Sequence, residues 1–563
     1  MAHNFLSPSR RQLMMTLAGL GVGNLVFQRA VVAQAPKEGR VTEEMIKQAE
    51  WVAGLSLTDE QRKGIVQRVN NSQRQFERLR QINLPNDVPP AFAFIPSAEP
   101  GAKEPAGGTA GSWAGPAPKK PDSDDDLAFL PLTSLSALVR KREVSSAELT
   151  KLYLERLKKY DPALKCVVTL TEDVALKQAE AADKEIAAGR YRGPLHGIPW
   201  GAKDLISYPG YKTTWGAGHY KDQTLETKAT VARRLEEAGA VMVAKTTLGA
   251  LAMGDQWFGG MTRNPWNVKQ GSSGSSAGST AAVVAGLVGF AIGSETWGSI
   301  VSPCTRCGAS GLRPTFGRVS RAGCMTLAWT MDKLGPICRS IEDCALVLGA
   351  IHGSDPLDAA AVDRPFRWPP TGDLRKLRVG YFEPKKDAKD RKELQVLRDL
   401  GVKLVPIKLP DKYPVEALGL ILNAETATAF DDLTRKGVSE GVGAWPVTFR
   451  MGQFIPAVEY IRANRVRTLI MREMDNLFEQ IDLYVAGNDS LLTNMTGHPT
   501  AVLPNGFQKS GDAEVPTAIT FTGRLYGETE LLSVAHAYQQ ATGHHLKRPP
   551  MDKVTAESGE KKD

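Results

Sequence analysis

The sequence predicts an α/β protein that carries a helical N-terminal extension. Two patterns support this. From about residue 145 onward, short β-rich runs alternate with helical stretches, as expected when strands and helices are layered over one core. Ahead of them, residues 36–96 have helical periodicity and are set off by a stretch rich in Pro, Gly and Ala. With 42% hydrophobic and 23% charged residues in 563 positions, the composition is that of a globular protein and excludes a disordered or fibrous chain. At roughly 150 residues per domain the length suggests several domains, although one large α/β domain can absorb most of it.

The first element, residues 1–35, reads as an address. Ser9-Arg10-Arg11-Gln12-Leu13-Met14 places paired arginines before an apolar stretch from Leu13 to Phe27, and Ala33-Gln34-Ala35 offers a small-x-small cleavage site. This resembles a twin-arginine export signal, whose passengers fold before they cross; an ordinary amphipathic helix is the alternative. The resemblance implies a mature protein that is periplasmic or secreted. The apolar stretch is short and glycine-rich, and no cysteine stands at the cleavage site for lipidation. No other apolar run approaches the ~20 residues that span a bilayer, so no membrane anchor is expected after cleavage.

Residues 36–96 form the second element. Thr58-Asp-Glu-Gln61 has capping-box spacing, and Ile65, Val69, Phe76 and Leu79 then recur near one helical face. The other face carries Arg62, Lys63, Arg68, Arg74, Arg78 and Arg80, which reads as a solvated face or a docking face for a partner. Residues 97–126 cannot build a core and are expected to be a linker that isolates the helical region. The catalytic-size domain is assigned to 127–545. A second capping box, Ser145-x-x-Glu148, opens a helix through about Lys159. Cys166–Leu170 and Val241–Ala244 read as strands, and Leu377–Tyr381, a charged helix and Val402–Val405 repeat the strand–helix–strand unit. Residues 546–563 are expected to be a charged, mobile tail.

The net charge of +8 is mild for this length, and three of the positive charges lie in the acid-free segment 1–35. No basic block interleaved with aromatics suggests nucleic acid. The six cysteines are Cys166, Cys304, Cys307, Cys324, Cys338 and Cys344. Cys304-x-x-Cys307 lacks the second close pair that a structural zinc site needs, so no metal is expected; buried free thiols are the reading, with one disulfide as the alternative. Oligomeric state has no signature in the sequence.

The densest chemical signal is Gly271-Ser-Ser-Gly274-Ser275-Ser276-Ala277-Gly278-Ser279. A phosphate-cradling loop would end in G-K-[ST], and no lysine is present. The nucleophile elbow G-x-S-x-G is satisfied by Gly274–Gly278 with Ser276 at its centre, but it must follow a strand, and Asn264–Gln270 reads as a poor strand with a proline. The third reading draws on three blocks in order. They are Gly193-Pro-Leu-His-Gly-Ile-Pro199 with Gly201-Ala-Lys203-Asp204, then Thr262-Arg-Asn-Pro-Trp-Asn267 with the Ser/Gly loop, then Gly286–Ile300. Gly311–Ser320, Asp332–Pro336, Asn494–Pro499 and Leu503–Phe507 follow. Together these resemble the amidase signature family.

The resemblance implies a mixed β-sheet wrapped by helices, and no cofactor. It maps the family's catalytic lysine to Lys203, its cis-peptide serine to Ser275 and its nucleophile to Ser299. The backbone N–H groups of Thr296, Trp297, Gly298 and Ser299 map to the oxyanion hole. The chemistry is sound without the name. A serine hydroxyl needs a base beside it, a buried neutral lysine can serve, and Ser275 can relay the proton between them. Ser272, Ser273, Ser276 and Ser279 are read as loop structure, and Asp204 is expected to face away from Lys203 or to be compensated. Departures from the family pattern are Trp297, Val301 in place of an arginine, Glu295 in place of Asp, and Ala277 in place of Gly. The leading expectation is an exported amidase acting on a small amide or ester. The alternatives are the glutaminase-type subunit of a tRNA-dependent amidotransferase, and a non-catalytic binding protein on the same fold.

Overall fold

The computed structural model describes residues 40–84, 92, 119–383, 391–486 and 489–556. The export-signal reading of residues 1–35 and most of the linker therefore lie outside the described residues. One mixed sheet of eleven strands runs through the molecule. In chain order its strands are β1 (Val167–Leu170), β2 (Pro199–Lys203), β3 (Val241–Thr246), β4 (Phe290–Glu295), β5 (Ser310–Arg313), β6 (Lys333–Cys338), β7 (Arg378–Phe382), β8 (Lys403–Ile407), β9 (Leu483–Ala486), β10 (Thr500–Ser510) and β11 (Ala513–Gly523). Their spatial order is β1-β3-β2-β4-β6-β5-β10-β11-β9-β7-β8. β2 is parallel to β3 and β4, and β7 to β8 and β9; the other neighbours are antiparallel. Helices surround this sheet, as the sequence predicts.

β2, β3, β4 and β6 are buried at every residue, which is the condition of strands covered on both faces. That burial has a chemical consequence. β2 and β4 run parallel and finish at Lys203 and Glu295, while antiparallel β6 starts there, with Lys333 opposite Glu295. Three charged side chains thus end up inside the protein at one end of the sheet.

The N-terminal helices α1 (Glu43–Ala53) and α2 (Asp59–Arg80) form where the periodicity places them, and α2 opens with the predicted Thr58/Gln61 capping box. The described part of this region is not isolated from the domain. Phe76 and Leu79 are buried in one apolar cluster with Leu418, Leu420, Ile421 and Met474. The basic face of α2 is largely occupied within the molecule. Arg62 is buried against Glu50, Arg78 pairs with Glu416 at 3.3 Å, Arg80 pairs with Glu459 at 2.8 Å, and Arg68 donates to Thr448. The sequence could not place these acids, which lie more than three hundred positions away from Arg78 and Arg80.

Three other boundaries differ from expectation. The division at 126/127 falls inside a short helix, Asp124–Ala128, capped by Ser123. The segment read as a mobile tail contains the helix Met551–Ala556, whose Val554 joins a core cluster. The residues before the serine loop do form a strand, Asn267–Gly271, in a two-stranded ribbon with Arg263–Asn264 outside the main sheet. All six cysteines are free thiols, five of them buried. No helix among the described residues is long and apolar enough to cross a membrane.

Candidate active site

Lys203 is the last residue of β2, and its side chain is fully buried. Its Nζ lies 2.8 Å from Ser275 Oγ, 3.0 Å from Ser276 Oγ and 2.8 Å from Ser294 Oγ. Burial pushes its ammonium well below the ordinary lysine range, and outweighs the charges of Asp332 and Glu295, which pull the other way. Asp204, next in sequence, is also fully buried but is balanced. Lys245 Nζ stands 2.6 Å from its Oδ1, and Thr214 donates to Oδ2 through both its N–H, at 2.8 Å, and its hydroxyl.

Ser275 follows a cis peptide from Gly274. Gly274 is obligatory for packing, because a Cβ there would stand 1.9 Å from the carbonyl oxygen of Gly254. The next serine has different work. Ser276 Oγ donates to the Ser294 carbonyl at 3.1 Å and accepts from Ser294 N–H at 3.1 Å. Its only proton is therefore committed, and towards Lys203 it can only accept. Ser276 is thus a strut between the serine loop and β4 rather than free loop structure, and it is a poor nucleophile. This geometry, not the quality of the preceding strand, disposes of the nucleophile-elbow reading.

Ser299 is half-buried on the turn after β4. Its carbonyl accepts from Ser276 N–H at 3.0 Å, which ties the two loops together through backbone. No hydrogen bond joins the Ser275 and Ser299 hydroxyls. Among the described residues, the amides of Trp297, Gly298 and Ser299 donate to no protein acceptor. Three free N–H groups on one turn beside a serine can receive an oxyanion. Thr296 instead shows its side chain's use, donating from Oγ1 to Asp332 at 2.6 Å.

Beneath this turn sits Glu295, fully buried. Its Oε1 accepts from Arg313 and Asn494, each at 2.8 Å, and its Oε2 accepts from the amides of Ile300 at 2.8 Å and Val301 at 3.0 Å. Burial works to raise its carboxyl, but Arg313, Lys333 and these amides outweigh it and hold the group down to about 2. Glu295 is therefore an anion that fixes the residues directly after Ser299. Sequence reasoning did not single out Ser294, Asp332, Arg313 or Asn494. All four lie within the sequence blocks quoted above, and the β4 alternation that puts Ser294 and Ile292 on one face was a usable signal. Among the described residues, no group of three or more His, Cys, Asp or Glu side chains could hold a metal ion.

The arrangement is a buried lysine amine beside a cis-peptide serine, backed onto a turn that carries a second serine and free amides. A family model described as Amidase matches residues 148–489. The chain belongs to the amidase signature family. It is therefore an amidase-signature enzyme acting on C–N bonds. A glutamyl-tRNA(Gln) amidotransferase subunit of Moorella thermoacetica is 34% identical over 490 residues, covering 76% of this chain and 99% of that protein. Among solved structures, the native peptide amidase of Stenotrophomonas maltophilia matches with a TM-score of 0.65 and 30% identity, covering 75% of this chain and 98% of that one. The corresponding glutamyl-tRNA(Gln) amidotransferase subunit of Thermotoga maritima matches with a TM-score of 0.60 and 26% identity, covering 73% of this chain and 95% of that one.

Proposed function

We propose that the protein is an exported amidase that hydrolyses the C–N bond of a small amide through an acyl-enzyme on Ser299. Ser299 Oγ attacks the carbonyl carbon. Its proton passes to Ser275 while the Ser275 proton passes to neutral Lys203. The amides of Trp297, Gly298 and Ser299, with that of Thr296, receive the carbonyl oxygen as it becomes an anion. When the C–N bond breaks, the proton returns through Ser275 to the leaving amine, and a water molecule repeats the sequence to release the acid. The reading invokes no metal, cofactor or nucleic acid. Export rests on Arg10-Arg11 and the apolar stretch after them.

One observation carries the reading. Lys203 is buried among three hydroxyls, and among the described residues no carboxylate is in hydrogen-bond contact with its amine. Burial of an amine so placed favours its neutral form, which can accept a proton. Ser275 is the relay because the Ser276 proton is held by the Ser294 carbonyl. The test is covalent labelling by a fluorophosphonate, with the adduct located by peptide mass. Labelling is expected at Ser299, absent in Ser299→Ala, and slowed about 10²–10⁴-fold in Lys203→Ala. A normal labelling rate in Lys203→Ala rules the mechanism out. The second reading is a glutaminase-type subunit that works with partners and tRNA, and it is favoured by the 34% identity to a glutamyl-tRNA(Gln) amidotransferase subunit. Glutamine-dependent amidation of charged tRNA on addition of the partner proteins would establish it.

A further inference from the structure

We infer that the site takes an amide bearing an aromatic group, which it holds between Trp297 and Trp329; this rests on the amidase reading above. β4 and β6 are antiparallel with Glu295 opposite Lys333, so the segment after β4 and the segment before β6 emerge at the same end of the sheet. Ser299 and Trp297 lie on the first segment, Trp329 lies on the second, and Lys203 ends parallel β2 at the same edge. Asp332 ties the two segments together. It accepts from Thr296 Oγ1 at 2.6 Å through one oxygen and from the amides of Leu327 and Ala328, at 2.8 and 3.0 Å, through the other.

Both indoles are turned outward. Trp297 is 41% exposed and Trp329 46% exposed, and neither ring N–H donates to a protein acceptor among the described residues. The backbone that presents Trp329 is held firmly. Buried Glu425 accepts from the N–H and hydroxyl of Thr330 at 2.9 and 2.7 Å, and buried Arg467 donates to the Thr330 carbonyl at 2.7 Å. A loop pinned by buried charged groups, with its largest side chain left in solvent, is preorganised for a contact that the free protein does not make. Gly419 lies near the Trp297 indole, since a Cβ there would stand 4.0 Å from the ring. A third apolar side chain, Met253, is 38% exposed on the turn whose Gly254 carbonyl abuts the Gly274–Ser275 peptide.

The charges argue the same way. An amino-acid amide such as glutamine needs a cation for its carboxylate. The arginines bonded around these two segments are already engaged: Arg313 with Glu295, Arg321 with Asp358, and Arg467 with Thr330 and the Met495 carbonyl. An uncharged aromatic group is what this mouth can desolvate favourably.

The test uses the full-length mature protein. kcat/KM is measured on phenylacetamide, acetanilide, hexanamide and glutamine, for the wild type and for Trp297→Ala and Trp329→Ala. At least one aromatic amide is expected to exceed hexanamide about tenfold, and glutamine by more. Preference for phenylacetamide places the ring on the acyl side; preference for acetanilide places it on the amine side. Trp329→Ala is expected to lower the aromatic rate about tenfold, mainly through KM, and the hexanamide rate far less; Trp297→Ala, whose amide also serves the oxyanion site, is expected to lower both rates and the aromatic one more. Binding is read separately, as quenching of tryptophan fluorescence by phenylacetamide and by acetanilide in Ser299→Ala, and it is expected to weaken in Trp329→Ala on that background. Equal losses on all amides, or no aromatic preference, with Ser299 labelling by a small fluorophosphonate intact, would overturn the inference and leave the amidase reading standing. Absent labelling with aromatic quenching preserved would overturn the amidase reading instead.

Discussion

Replacing Glu295 by glutamine tests the support of the Ser299 turn. All four partners of this carboxylate are donors: Arg313 and Asn494 on one oxygen, Ile300 and Val301 amides on the other. Glutamine can satisfy one pair with its oxygen, but its NH2 must then face two donors. The substitution also leaves the guanidinium of Arg313 buried without its anion, although it keeps the His498 carbonyl and Thr500. Breaking a buried pair by removing one charge costs about 3–5 kcal/mol, and each buried donor left unsatisfied adds about 1–3 kcal/mol. The low pKa points the same way. A carboxyl held near 2, below its ordinary value of about 4.3, contributes stability that is present above pH ~4.3 and lost as pH falls through the folded value. Urea unfolding of Glu295→Gln at neutral pH is therefore expected to show a loss of at least about 3–5 kcal/mol, and the variant should lack the part of the wild type's acid destabilisation that comes from this group. Below the unfolding transition, freeing the Ile300 and Val301 amides moves Ser299, and a displacement near 1 Å is worth about 10²-fold in kcat/KM. Glu295→Asp keeps the charge but is one methylene short, and should fall between the two. Stability within ~1 kcal/mol of wild type, together with unchanged kcat/KM, would refute this account of the turn, because a buried ion pair this well bonded cannot be neutral to break.

Activity is expected to rise with pH through the depressed pKa of Lys203 and then level, because below that value the amine is an ammonium and cannot accept the Ser275 proton. A rising limb that persists unchanged in the residual activity of Lys203→Ala would exclude lysine as its source. Lys245→Met removes the partner of Asp204, which leaves an uncompensated carboxylate beside Lys203 and should move the rising limb to higher pH; an unmoved limb shows that Asp204 is balanced by its other contacts. Phe76→Ala is expected to cost about 3–5 kcal/mol, measured by denaturant unfolding, because the ring is fully buried against Leu418 and Leu420. A loss below ~1 kcal/mol would restore the N-terminal helices as an independent unit. Arg10→Lys with Arg11→Lys should hold the protein in the cytoplasm, read by cell fractionation. Normal export of this double variant would remove the compartment argument.

How much was legible beforehand follows from the range of each interaction. Strand–helix alternation and the capping boxes at Thr58 and Ser145 are local patterns that set the fold class, and the ordered blocks around Lys203, the glycine-serine loop and Ser299 set the family. The family resemblance also pointed to the residues that became neighbours, Lys203 and Ser275, although seventy-two positions separate them. What the sequence left undecided were properties that exist only once strands are registered. Ser276 and Ser275 are the same residue type side by side, and only the position of the Ser294 carbonyl makes one a strut and leaves the other a proton to pass. The arginines of α2 look like a solvated stripe until Glu416 and Glu459 come to meet them. Glu295 looked like a departure from pattern, and becomes the anchor of the Ser299 turn because the registers of β4, β5 and β6 bring Arg313 and Lys333 against it. The sequence by itself determined which side chains were available for chemistry; burial at the end of a fully covered sheet decided their protonation, and so their roles, because desolvation and charge pairing depend on distances that no one-dimensional pattern contains.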